Sequence, residues 1–203
     1  MGKVIKFPVP EYAPEKFGLQ RVTTKRADAA PAPKAGQLNL FGGARMVRMQ
    51  ALTPFEEALL LDDQGTDIKA ARRNYQKAIE EGESVADAYC NLGILEWREG
   101  HTAKAIDCFT QSLKFEPRHF EAHYNLANLY AEAGNLPLAK VHYEISIQLE
   151  PTFSNSYFNL GLTLAMNKEF KEAIVVLERY KELTPNEEHK HTDDLLEKLR
   201  LAR

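Results

Sequence analysis

Residues 86–119 read ADAYCNLGILEWREGHTAKAIDCFTQSLKFEPRH, and residues 120–153 read FEAHYNLANLYAEAGNLPLAKVHYEISIQLEPTF. Placed one above the other, these 34-residue stretches agree in columns: Asn91 with Asn125, Leu92 with Leu126, Gly93 with Ala127, Gly100 with Gly134, Ala105 with Ala139, Phe109 with Tyr143, Pro117 with Pro151. The spacing continues outward in both directions. Downstream, a unit at 154–187 supplies Asn159, Leu160, Gly161, Ala173, Leu177 and Pro185. Upstream, a unit at 52–85 supplies Ala71 and Tyr75 but has Glu57-Ala58-Leu59 in the Asn-Leu-Gly columns. A fixed period of this length is the mark of stacked repeats, because one small unit cannot bury its own apolar face.

Within each unit, apolar residues recur at spacings of three and four in two stretches. Gly100 and Gly134 fall between those stretches, where a left-handed residue is needed, so the unit reads as a helical hairpin. The Gly/Ala column lets the two helices approach closely, and the Tyr/Phe column fills the space between them and the next unit. Pro117, Pro151 and Pro185 keep the second helix of one unit from running into the next. Pro137 sits near the start of its helix, where a missing N–H costs little. The last repeat needs a cover, and a capping helix is predicted over about 191–202. There Thr192 is placed to cap, Asp193 and Asp194 favour the positive end, Lys198 and Arg200 the negative end, and Leu195, Leu196 and Leu199 share one face.

These columns resemble the tetratricopeptide repeat. Asn91-Leu92-Gly93, Gly100, Ala105-Ile106, Phe109 and Pro117 follow the family pattern in order and spacing, as do Asn125-Leu126-Ala127, Tyr130, Gly134, Ala139, Tyr143 and Pro151. The first unit departs most, with Asp62 where the family usually has a large aromatic. The resemblance implies an all-α, right-handed superhelical solenoid of antiparallel helix pairs over residues 51–203, about four units plus the capping helix. It further implies a concave groove lined by the first helix of each unit, which binds a protein or peptide partner.

On those first helices the column Asn91, Asn125 and Asn159 stands out. An amide both donates and accepts, so a ladder of them suits the backbone of an extended peptide. It resembles the asparagine ladder in the repeat domain of the O-linked N-acetylglucosamine transferase. The alternative is that these amides stabilise the fold by bonding to a neighbouring loop. Around the ladder the predicted groove positions include Cys90, Ile94 and Trp97, then Tyr124 and Asn128, then Phe158 and Leu162. Trp97, Tyr124 and Phe158 are either pockets for apolar side chains or contacts to the adjacent helix. Family members that read chaperone C-termini use Lys and Arg in the groove, whereas this chain has Glu56, Asp87, Cys90, Glu121, Tyr124 and Asn155 there. Recognition of acidic chaperone tails is therefore not expected.

Residues 1–50 differ in kind. They hold five prolines, few apolar residues, and nine Lys/Arg against three Asp/Glu, while the rest of the chain is acidic. A disordered basic tail is predicted, with weak sequence-independent contact to nucleic acid as a consequence. Within it Gln37-Leu38-Asn39-Leu40-Phe41 resembles the pentapeptide by which bacterial replication and repair proteins dock on the DNA sliding clamp, through Gln37, Leu38, Leu40 and Phe41. That offers a second reading, a DNA-associated accessory factor; the same island could instead pack on the repeats.

No apolar run reaches the roughly 18–20 residues that span a bilayer, and the first residues lack a signal-peptide core, so a cytoplasmic protein is expected. Cys90 and Cys108 have no C-x-x-C spacing and read as packing residues. His119 and His123 are four apart, but with no third ligand in sight they read as structural, and His189 and His191 as solvated. No phosphate loop, nucleophile elbow or zinc motif appears, so neither enzyme activity, metal nor cofactor is expected.

Overall fold

A computed structural model describes residues 52–65, 67–185 and 189–202. The predicted tail and its Gln37–Phe41 motif, including Leu38 and Leu40, lie outside the described residues. Among the described residues there are nine helices and no strand: α1 Pro54–Gln64, α2 Ile68–Glu80, α3 Val85–Arg98, α4 Thr102–Phe115, α5 Phe120–Glu132, α6 Leu136–Leu149, α7 Ser154–Met166, α8 Phe170–Leu183 and α9 Lys190–Leu201. Each helix packs chiefly on its sequence neighbour, in the pairs α1–α2, α3–α4, α5–α6 and α7–α8, with α9 laid on α8. None of these helices is long and apolar enough to cross a membrane.

The pairing follows from complementary columns. Ala71, Ala105, Ala139 and Ala173 are fully buried, as are Tyr75, Phe109, Tyr143 and Leu177. A Cβ added to Gly93 would lie 2.7 Å from the Phe109 ring, and one added to Gly161 would lie 2.6 Å from Leu177. Those separations are well inside van der Waals contact, so the large residue of the second helix is seated directly on the bare backbone of the first. Leu195, Leu196 and Leu199 of α9 join the last of these cores beside Leu177 and Ala173.

The ends of the helices use ordinary capping chemistry. Thr53 and Glu56 form a reciprocal capping box at the start of α1, and Asp67 and Asn135 accept from the first turns of α2 and α6. After α5 the chain turns through Gly134, φ 76°, whose N–H donates to Ala131 O while Asn135 N–H donates to Tyr130 O at 2.8 Å. Gly100 does the same after α3. This is the paired bonding of a Schellman turn, and it sets the hairpin angle. The turn after α7 repeats the bonding with Lys168 at φ 64°, so a residue with a Cβ occupies the left-handed position.

Two readings from sequence change at the C-terminal end. His189 is buried, with its Nε2 within 3.0 Å of Thr184 O, instead of solvated. Thr192 is buried inside the first turn of α9, and His189 takes the N-cap position. His189 bonds back to Thr184 at the end of α8, which encloses the ring.

Gly93→Val should lower stability by about 1–3 kcal/mol, since it forces methyl groups against the Phe109 ring; urea denaturation will read the loss. Lys168→Gly should raise stability by about 0.5–1 kcal/mol by relieving a left-handed backbone conformation, seen as a higher melting temperature with unchanged helicity.

Candidate functional site: the shared face of the first helices

The helices α1, α3, α5 and α7 place one residue set against their own partner helix and another against the neighbouring repeats. The asparagine column belongs to the second set. Asn159 Nδ2 donates to Tyr124 Oη at 3.2 Å and to Asn128 Oδ1 at 3.0 Å. One repeat earlier, Asn125 Nδ2 points in the same way to Cys90 Sγ, at 3.8 Å. Each amide thus reaches back to the same position of the preceding first helix. The two contacts differ in strength, because a thiol sulfur is a weak acceptor and a phenol oxygen a good one.

The expectation that these amides stand exposed does not match their burial. Asn91, Asn125 and Asn159 retain 1%, 0% and 5% exposure, and Asn128 is fully buried. The reach-back to the preceding first helix places the column at the seam between repeats. Asn128 is also tied to its own hairpin, as Tyr143 Oη donates to its Oδ1 at 2.5 Å. Tyr143, Asn128, Asn159 and Tyr124 therefore form one buried network joining α5, α6 and α7. Two atoms are left over: Asn125 Oδ1 and Asn128 Nδ2 make no hydrogen bond among the described residues.

The aromatic and apolar positions divide likewise. Cys90, Ile94, Tyr124 and Leu162 are buried. Tyr124 packs edge-on to Phe153, with ring centroids 5.0 Å apart. Trp97 is half-buried and its Nε1 donates to Glu132 Oε2 at 3.1 Å, linking α3 to α5. Phe158 is half-buried beside Tyr180, at 5.1 Å between centroids. Trp97 and Phe158 thus keep an accessible part that Tyr124 does not.

Charge on this face is held by His119, which precedes α5. Its Nε2 lies 3.2 Å from Asp87 Oδ1 and its Nδ1 3.0 Å from Glu121 Oε2. Burial opposes a charged ring, but the hydrogen bonds to Asp87 and Glu121 outweigh it and push the imidazole up to about 9. Ala122 N–H donates to the same Nδ1 at 3.2 Å, so the ring also caps the first turn of α5. On α5 and α6, His123 Nδ1 and His142 Nδ1 are 3.0 Å apart, and His123 Nε2 donates to Pro117 O. One proton serves both facing nitrogens. Burial, reinforced by the neighbouring ring, takes His142 down to about 4, and burial also lowers His123. His142 carries no motif and was not legible in the sequence; only the packing of α6 on α5 brings it to His123.

Among the described residues, Glu96, Glu99 and His101 are close enough to share a metal ion. Arg72 ion-pairs with both glutamates, and His101 Nδ1 lies 2.8 Å from Glu96 Oε2, so the group is a salt-bridge cluster joining α2 to α3.

Two tetratricopeptide repeat models match the chain, one over residues 55–107 and 90–141 and the other over 142–175. The chain belongs to the tetratricopeptide repeat family. Among curated relatives, human protein O-mannosyl-transferase TMTC3 is 32% identical over 114 residues, which is 54% of this chain and 12% of that protein. The UDP-N-acetylglucosamine–peptide N-acetylglucosaminyltransferase of Giardia intestinalis is 27% identical over 124 residues, 61% of this chain and 8% of that one. This repeat protein thus spans only a small part of those transferases. Among solved structures, MamA from Desulfovibrio magneticus RS-1 superposes with a TM-score of 0.61 at 20% identity, over 72% of this chain and 81% of that one. The first repeat domain of Spaghetti (RPAP3), bound to the HSP90 peptide SRMEEVD, superposes at 0.54 with 23% identity, over 58% and 91%. At these identities the structures establish the shared fold.

The His119 contacts set a pH dependence with a definite sign. Its folded value lies above the ordinary 6.5, so its stabilisation is complete below pH 6.5 and lost as pH rises through about 9. His123 and His142 are lowered, so their contribution is present above pH 6.5 and lost on acidification toward about 4. Stability should peak near neutrality. His119→Gln should be less stable than the parent by no more than about 3 kcal/mol at pH 6.5, with the gap narrowing by pH 10; a gap constant across melts at those pH values would show that the ring carries no charge.

Proposed function

We propose that the chain is a non-catalytic interaction module whose first helices receive an extended polypeptide of neutral or basic character. The observation that supports this is family membership together with two aromatic side chains, Trp97 and Phe158, that the first helices leave partly accessible. Trp97 and Phe158, each only half-buried, lie at the margins of that face and suit apolar side chains of the ligand.

The charge decides the class of ligand. The repeat domain of Spaghetti is bound to a peptide ending in Glu-Glu-Val-Asp. Here Glu56, Asp87, Cys90, Glu121, Tyr124 and Asn155 hold the corresponding positions, so those positions offer no basic side chain to pair with an acidic peptide. Family membership supports binding over catalysis. The transferase relatives extend far beyond the region this chain matches, and their chemistry is not carried over.

The amide column is consumed within the fold: Asn159 donates to Tyr124 and Asn128, and Asn125 reaches Cys90.

Panning a random peptide display library against the full chain should enrich basic and apolar sequences and deplete acidic ones. Trp97→Ala and Phe158→Ala should each weaken a recovered peptide by about fivefold or more, the loss of an aromatic anchor. Asn159→Ala should instead lower the melting temperature, because it breaks the buried bonds to Tyr124 and Asn128. Enrichment of acidic peptides, or full affinity in both aromatic variants, would overturn this assignment.

A further inference from the structure

Arg98 and Glu132 stand 34 residues apart, in the same column of successive first helices, yet they carry opposite charge. Between the first two repeats this column supplies a cation, with Arg98 Nη1 at 3.2 Å from Asp62 Oδ1 on α1. Between the next two it supplies an anion. Glu132 reaches back to α3, where its Oε2 accepts from Trp97 Nε1 at 3.1 Å. An indole N–H orients a carboxylate without neutralising it. The cations on the neighbouring helices are engaged elsewhere, Arg72 with Glu96 and Glu99, Arg98 with Asp62, and Lys140 with Glu169. Among the described residues Glu132 therefore has no ion pair, and its Oε1 makes no hydrogen bond.

Trp97 is the other half of the arrangement. Its ring is partly packed against the core that contains Ile94 and Leu129 and partly open, and among the described residues no other aromatic ring stacks on it. Glu132 is exposed enough for a ligand to reach. Partial burial nonetheless raises its carboxyl above the ordinary value, and the indole hydrogen bond only partly offsets this. An open aromatic ring beside an unneutralised carboxylate suits one side chain above others. The guanidinium of arginine is planar, stacks on an indole face and carries its N–H donors around the edge of the same plane. Lying on Trp97, it can turn that edge to Oε1 of Glu132, while its aliphatic stem covers the rest of the ring. An acidic side chain would meet like charge there, and an apolar one would desolvate the carboxylate further without pairing it.

We propose that Trp97 and Glu132 form a subsite for an arginine side chain of the bound polypeptide. This rests on the reading of the first-helix face as a peptide site and names the residue selected at the α3–α5 step of it. The column that closes one seam with its own cation leaves the next seam open for a cation from outside.

Trp97 is the only tryptophan of the chain, so tryptophan emission reports this subsite and nothing else. Titrating the full chain with acetyl-Ala-Arg-Ala-amide should change that emission saturably. The citrulline analogue, of the same shape but uncharged, should need about fivefold more peptide or worse. Glu132→Gln keeps an acceptor for the indole N–H, so it should melt like the parent and lose the preference for arginine over citrulline. No saturable change in the parent, an equal response to the two peptides, or a preference retained in Glu132→Gln would each overturn the proposal. A lowered melting temperature with the preference retained would show that the carboxylate serves only to hold the seam. The tripeptide titration does not depend on an extended ligand. If arginine is preferred while library panning recovers no peptide, the extended-polypeptide reading fails and the subsite stands; if recovered peptides bind while arginine and citrulline are equivalent, the subsite fails and the reading stands.

Discussion

Two helices lie against each other only as closely as their largest interposed groups allow, and in this protein that limit is set at one column. Phe109 sits on the backbone of Gly93 and Leu177 on that of Gly161, at separations that leave no room for a Cβ. With the aromatic ring in place, Ala105 must be small for the facing helix to close, and it is fully buried. The same complement recurs as Ala139 with Tyr143 and Ala173 with Leu177. Since this complement recurs from hairpin to hairpin, successive hairpins present similar surfaces and can stack. A solenoid of this kind depends on nearest-neighbour interfaces, so an error in one hairpin is passed to the two beside it.

Between hairpins the links are more polar than within them. Asn159 with Tyr124 and Asn128, Ser146 with Ser156, and Trp97 with Glu132 all cross from one repeat to the next. Buried polar pairs contribute modest net stability but a large penalty for misalignment, because a shifted register leaves donors and acceptors unmatched. Apolar columns that repeat every 34 residues could in principle slip by one unit. Bonds that differ from seam to seam, thiol in one and phenol in the next, make each interface distinct.

The same seams bear on function. A face already committed to holding the repeats together can serve a ligand only with the groups it has to spare, and under the proposed reading these are the accessible parts of Trp97 and Phe158.

Much of this was readable from the chain alone. The period, the hairpins, the Gly100 and Gly134 turns, the large and small columns and the apolar face of α9 are consequences of local spacing, because a helix places residues three and four apart on one side regardless of what lies beyond. The Asn column was visible too, but its burial was not. Whether a side chain on the remaining face meets solvent or a neighbour depends on how near successive first helices come, and that distance results from every contact along the seam at once. For the same reason the His123–His142 pair, the left-handed Lys168 and the enclosed His189 and Thr192 had no signature in the sequence. Sequence by itself determined which faces of each helix attract, since periodicity is a local property; tertiary structure alone decided which polar groups were consumed by that attraction, since consumption requires two distant segments to be placed to within a hydrogen bond's length.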